Sequence, residues 1–205
     1  MNNTSAPRVA GILLAAGAGS RFGGGVCSGN GASPGGGKLL HPLDGVPIGV
    51  RAARHMQAAG LRVTAVVRPG SDALMRLLQA EGVEVTVCAD AADGMGVSLA
   101  HVIAHSRDAA GWVVALADMP RIRPATISQV VDAVANGACI AAPEYNGERG
   151  HPVGFNATLL DELLQSKGDE GARAVIQKHR AQVRLIACDD PGVVFDIDRR
   201  ADLQS

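Results

Sequence analysis

The chain predicts a single α/β domain of three layers (α/β/α), with helices on both faces of a mostly parallel, twisted sheet. Three observations predict it. Short apolar runs alternate with amphipathic stretches of helical spacing along nearly the whole length. The first apolar run opens directly into glycines, as a buried strand does when it feeds a ligand-binding turn. The 205 residues suit one domain with a sizeable core, and no repeat or interdomain linker interrupts them.

The first strand is expected over Val9–Leu14, and GILLAAGAGSRFGG (Gly11 to Gly24) carries it into a glycine loop. Fifteen residues, GGGVCSGNGASPGGG, then separate Phe22 from Lys38, and eight of them are glycine. This stretch, at about 23–37, is expected to be mobile because it has little surface to bury. A helix over Pro47–Ala59 leads to a strand over Arg62–Val67. The turn Pro69-Gly70-Ser71 enters a helix over Asp72–Ala80, with Ser71 as the expected N-cap. Next come a strand at Glu84–Val87, a helix at Met95–Arg107 and a strand at Trp112–Leu116. Pro124 leads a helix to Ala135, since its fixed φ suits a first helical turn. Strands at Ala138–Ala142 and Pro152–Phe155, helices at Ala157–Gln165 and Gly171–Lys178, and strands at Val183–Ala187 and Val193–Ile197 complete the order. Such a βαβαβα order places ligands beyond the carboxyl ends of parallel strands.

Composition narrows the function classes. Nineteen basic and 20 acidic residues leave a net charge of -1, and one Trp, one Tyr and three Phe offer little stacking surface. A nucleic-acid partner is therefore not expected. Met1 to Arg8 is short and polar, so no secretory signal is expected, and no apolar stretch approaches membrane-spanning length. Cys27, Cys88, Cys139 and Cys188 form no CxxC pair, which suits free thiols in a reducing cytoplasm. The last three lie in apolar segments and read as small core side chains.

The glycine loop carries the chemistry. A glycine-rich turn after a parallel strand leaves backbone N–H groups free to point at phosphate oxygens. Arg21 adds a planar, permanently charged fork, which points to a nucleoside triphosphate. A dinucleotide fingerprint fails, because Phe22 stands at the third glycine and the acidic partner is missing. A Walker loop fails too, with Ala32 at its first glycine and Leu39 at its magnesium-binding hydroxyl. GVCSG (Gly25 to Gly29) mimics a nucleophile elbow, but no strand leads into it and no helix leaves it. Asp118 follows the apolar run Trp112–Ala117, so its carboxylate should emerge at the sheet's carboxyl edge.

The loop LLAAGAGSRFGG followed by Lys38 resembles the LAAGxGxRxGxxK loop of nucleotidyltransferases with the MobA-like fold. The likeness continues in order: DGMGVSL (Asp93 to Leu99) with their GMxxSL, LADMP (Leu116 to Pro120) with their DxP turn. RGHPVGF (Arg149 to Phe155), GDEGAR (Gly168 to Arg173) and FDIDRRADL (Phe195 to Leu203) are similar to their GHP, GDxGAR and DIDTPxDL segments. The branch it most resembles is the molybdenum cofactor cytidylyltransferases, which move CMP from CTP to the terminal phosphate of molybdopterin and release pyrophosphate. The resemblance implies a Rossmann-like sheet of the nucleotide-diphospho-sugar transferase kind and a Mg2+ cofactor. It implies that Leu14, Ala15, Ala16, Gly17, Gly19, Gly94 and Ser98 bind the nucleotide, with Ala16 favouring cytosine. Arg21, Lys38 and Asp118 become the catalytic set, and Asp118 and Asp198 the metal ligands. Asp196 would share the face of Asp198 on a continuing strand, and with His151 it is a candidate for the acceptor side. Ser98 has a competing role in starting or capping the Met95 helix. A molybdoenzyme or its chaperone is a candidate recipient of the product.

The attacking group in that reaction is a phosphate monoester, largely dianionic near neutral pH with a second pKa of about 6. It needs no general base. It needs relief from anion–anion repulsion and an in-line arrangement, which magnesium and carboxylates supply. Three departures stand out: the sixteen residues from Phe22 to Gly37, Gly96 in place of a larger residue, and Arg199-Arg200 in place of Thr-Pro. They leave open a same-fold transferase using GTP or another phosphorylated acceptor, and a nucleotide- or cofactor-binding chaperone that has lost catalysis.

Overall fold

The computed structural model describes residues 8–17 and 37–203. Gly19, Arg21, Cys27 and nearly all of the glycine-rich stretch lie outside the described residues. Ten strands and six α-helices are described: β1 Val9–Leu14, β2 Pro42–Leu43, β3 Val46–Pro47, α1 Ile48–Ala58, β4 Arg62–Val67, α2 Asp72–Ala80, β5 Glu84–Val87, α3 Met95–Ala104, β6 Gly111–Leu116, α4 Pro124–Ala135, β7 Ile140–Tyr145, β8 Glu148–Arg149, β9 Val153–Asn156, α5 Leu160–Leu164, α6 Arg173–Lys178 and β10 Val183–Ala187.

The main sheet runs β10-β7-β9-β6-β1-β4-β5, with β8 paired to β7. β1 is parallel to both β4 and β6, and β9 is the antiparallel member between β6 and β7. Both faces are covered, so the central strands read as continuous apolar runs rather than as alternation. Along β1, Ile12 enters one core with Val66, Trp112 and Leu99, while Leu13 enters the other with Ala65, Val113 and Ile48. Burying each such large side chain contributes roughly 1.5–3 kcal/mol. Trp112 is fully buried, and its indole N–H donates to Ser106 Oγ at 3.0 Å, so its polar edge is satisfied.

The order β6-β1-β4 has a functional consequence. From β1 the chain proceeds to β4 and β5 on one side, then returns with β6 on the other. The turns that follow β1 and β6 therefore part, and a crevice opens between them at the carboxyl edge. The ladder continues into those turns: Ala15 N donates to Val66 O and Ala117 N to Leu14 O, both at 3.0 Å.

Several expectations need correction. Val193–Ile197 is not a strand; Pro191–Val194 is a 3-10 turn, and the chain beyond it is irregular up to Arg200. Pro191 holds the start of that turn, where the Asp190 side chain accepts from Gly192 N at 3.0 Å. The helix expected at Ala157–Gln165 begins as a 3-10 turn, Ala157–Leu159, and is α-helical only over Leu160–Leu164. The helix from Met95 stops at Ala104 rather than Arg107, and the one expected from Gly171 starts at Arg173, because Gly171 sits at φ +56. Ser71 does not cap α2 through its hydroxyl. Its backbone lies at φ -92, ψ 32, outside the extended region a capping side chain needs, and its Oγ is buried without a partner. Nor does Ser98 cap α3, since Gly94 stands at that position. The two-residue strands β2, β3 and β8 were too short to leave a periodic signal.

Candidate active site

A cleft of about 530 Å³ opens at the carboxyl ends of β1, β4 and β6. Leu14, Ala15, Ala16 and Gly17 line it from the β1 turn, Gly94 and Ser98 from the start of α3, and Asp118 from the β6 turn. Lys38 and Asp198 close it. The structure thus gathers into one space nine positions drawn from four separate motifs. Gly17 has open space where a Cβ would stand, so its side faces the cleft rather than a packed neighbour.

The floor is an ionic knot. Lys38 Nζ donates to Asp118 Oδ2 at 2.8 Å and to Asp198 Oδ1 at 2.9 Å. The lysine side chain is 9% exposed, against 27% and 35% for the two carboxylates. Burial opposes the lysine's charge, but the bonds and charges of Asp118 and then Asp198 outweigh it and raise its pKa. Asp196 joins them: one oxygen from each of Asp118, Asp196 and Asp198 lies within 4.8 Å of the others. Desolvation, then repulsion from Asp198 and Asp118, pushes the Asp196 carboxyl up. Within this group three carboxylates face one ammonium. Among the described residues this is the one cluster of three such groups.

Backbone contacts explain the convergence without a final strand. Ile197 N donates to Asp118 O at 2.9 Å, locking the C-terminal segment to the β6 turn, and the Ile197 side chain is fully buried. Asp196 and Asp198 flank that anchor. Asp198 N donates to Asp202 Oδ2 at 2.9 Å, and Arg199 N donates to the same oxygen at 2.6 Å. Asp202 is therefore a positioning residue for Asp198. Arg121 packs over the Phe195 ring at 5.2 Å and donates to the carbonyls of Asp202 and Leu203.

The α3 side is built by close approach. A Cβ on Gly94 would stand 2.3 Å from the backbone of Gly168, and one on Gly96 would stand 2.5 Å from Lys167 N. Glycine at both positions lets the GDEGAR turn dock on α3 and bring Asp169 into the cleft lining. Gly94 also has φ +117, which L side chains rarely adopt.

Two charged residues of the cleft lining, Arg68 and Asp169, are absent from the sequence-derived set. Arg68 follows β4 directly and makes no ion pair among the described residues. Its place just past an apolar strand is the same signal that marks Asp118. Asp169 sits inside a quoted motif yet was given no role. His151, in contrast, does not line the cleft. Its backbone N–H donates to Val193 O at 2.8 Å, and its Nδ1 is buried without a partner. Arg21 and Gly19 lie outside the described residues.

The carboxylate set fits a hard divalent cation such as Mg2+ or Mn2+, because all donors are oxygens and an ammonium already sits between two of them. No described helix is long and apolar enough to cross a membrane.

Comparison with known proteins agrees with this architecture. Nicotine blue oxidoreductase of Paenarthrobacter nicotinovorans is 30% identical over 209 residues, spanning 97% of this chain and 96% of that protein. A phosphoenolpyruvate guanylyltransferase of Rubrobacter xylanophilus is 31% identical over 163 residues, 75% of this chain and 74% of that one. Among solved structures, Rv0371c of Mycobacterium tuberculosis H37Rv matches with a TM-score of 0.81 and 27% identity over 98% of this chain and 97% of that one. A manganese complex of Rv0371c matches at 0.78 and 25% identity, with the same coverage. Residues 11–183 match the MobA-like NTP transferase domain, and the chain belongs to that nucleotidyltransferase family.

Proposed function

We propose that this protein is a divalent-cation-dependent cytidylyltransferase, moving CMP from CTP to the terminal phosphate of a molybdopterin-type acceptor and releasing pyrophosphate. One observation carries the reading: Asp118, Asp198 and Lys38 converge in the cleft that the β1 turn borders, with Asp196 beside the two aspartates. Asp118 and Asp198 would hold Mg2+. When bound, that ion would neutralise charge developing on the α-phosphate and the leaving pyrophosphate. The chain's own groups do the rest. Backbone amides of Ala16 and Gly17, beyond the last ladder bond at Ala15, would meet the nucleotide, and the small side chains there leave room for close approach. Lys38 would take the triphosphate, with Arg21 as its partner from the glycine loop. Asp196, exposed beside the metal pair, would be the carboxylate on the acceptor side. The acceptor oxygen attacks the α-phosphorus, the bond to the β-phosphate oxygen breaks, and the electron pair leaves on pyrophosphate.

Two other readings have specific support. A guanylyl donor and another phosphorylated acceptor are favoured by the likeness to the Rubrobacter guanylyltransferase. An oxidoreductase is favoured by the relative from Paenarthrobacter. Hydride transfer needs no clustered carboxylates, which is why we place it behind nucleotidyl transfer. Thermal shifts with each of the four triphosphates and Mg2+, followed by pyrophosphate release, separate these readings. CTP should stabilise most and release pyrophosphate only when acceptor is present. Greater stabilisation by GTP would replace the cytidylyl assignment, and NAD(P)H consumption without pyrophosphate would replace transfer altogether.

A further inference from the structure

The Asp118–Asp198 pair already grips a cation that the chain supplies itself. Lys38 Nζ stands 2.8 Å from one carboxylate and 2.9 Å from the other, and its side chain is 9% exposed. An ammonium and a divalent ion cannot both lie between the same two oxygens. We propose that Lys38 is an internal occupant of the divalent-cation site, so that metal and nucleotide enter together by an exchange of counter-ions. The inference rests on the metal role given to Asp118 and Asp198 above.

The charge balance explains the coupling. Counted over these four groups, three carboxylates and one ammonium sum to -2, and replacing the ammonium by a divalent ion changes that sum to -1. Electrostatics at the carboxylates alone therefore favours the metal. The opposing cost falls on Lys38, which would lose both anions while held in a largely buried position. A triphosphate arriving in the same cleft removes that cost, because it offers the displaced ammonium a new anion. Metal alone then binds weakly, and nucleotide without metal leaves the carboxylates facing its phosphates. Both together leave each cation with an anionic partner, the metal on the carboxylates and the ammonium on the triphosphate. The device keeps the carboxylate trio from holding a cation when no substrate is present.

Manganese binding to the nucleotide-free protein, read by electron paramagnetic resonance, tests the exchange. Lys38→Gln should bind Mn2+ at least tenfold more tightly than the wild type, although it removes a phosphate ligand. Equal affinities would overturn the proposal. Asp118→Asn should lose Mn2+ binding; if it binds as the wild type does, the metal assignment itself fails, a different outcome from failure of the exchange. Should Lys38→Gln not fold, the wild type decides alone. The chain has only three lysines, Lys38, Lys167 and Lys178, so acetic anhydride labelling resolves each by mass spectrometry. Saturating Mn2+ should raise labelling of Lys38 several-fold and leave Lys167 and Lys178 unchanged. A Lys38 rate indifferent to Mn2+ would overturn the exchange.

Discussion

His151 has a buried Nδ1 with no hydrogen-bond partner, and its pKa falls from 6.5 to about 4. Loss of water around the ring is the main cause; Arg149 adds repulsion, and Asp118 opposes it weakly. A depressed pKa means that the folded state resists protonation. The stability tied to this ring is therefore complete above about pH 6.5 and is lost as pH falls toward about 4. Its ceiling is about 3 kcal/mol, reduced because the residue as a whole is only half-buried. Denaturant unfolding of wild type and His151→Gln at pH 7.5 and pH 4.5 checks this. The wild type should lose more stability between the two conditions, and parallel losses would assign the acid sensitivity elsewhere. Asp118 invites a direct test at the same scale. Asp118→Asn keeps the shape but removes charge, and turnover should fall at least about 100-fold with the fold intact. The place of Asp118 was legible because it directly follows an apolar strand, whereas His151, singled out in RGHP, does not line the cleft. The partners were not legible: nothing in the letters says that Lys38 bridges residues 80 and 160 positions away.

Among the elements, the C-terminal segment does the most positioning with the least regular structure. Asp190 is 1% exposed and accepts from Arg123 N at 2.8 Å, Thr126 Oγ1 at 2.7 Å and Gly192 N at 3.0 Å. One carboxylate thus serves the start of α4 and the turn that leads to Ile197. Asp190→Ala strands those donors, and should cost about 2–4 kcal/mol by chemical denaturation while also weakening metal binding. Loss of stability with unaltered metal affinity would separate the turn from the site. The α3 edge makes the opposite demand, for absence of side chain. Gly96→Ala drives a methyl into the Lys167 backbone, where it should cost about 1–3 kcal/mol and move Asp169 from the cleft. A thermal melt reports the first effect and nucleotide affinity the second. Core strands and long helices were legible because each carries a sustained apolar period. Val193–Ile197 misled for the same reason: Val193 and Ile197 are buried, yet hydrogen bonds from a 3-10 turn and an aspartate hold the segment, not a ladder.

For the whole molecule, topology rather than any one motif fixes where chemistry can occur. The parting of the turns after β1 and β6 makes the crevice, and α3 closes it from the other side. The α/β class and the edge at which the cleft opens followed from element order, since that order restricts the possible connections. The antiparallel β9 between β6 and β7 could not be read that way, because a four-residue strand carries no direction in its composition. Phosphorus-31 NMR of the protein with CTP, Mg2+ and molybdopterin follows the bond at issue most directly. The account predicts that the α-phosphorus resonance of CTP moves to that of a new diphosphate linkage as free pyrophosphate grows, and that Asp118→Asn abolishes both changes. Intact CTP alongside an active, folded protein, or equal conversion by the variant, would contradict it.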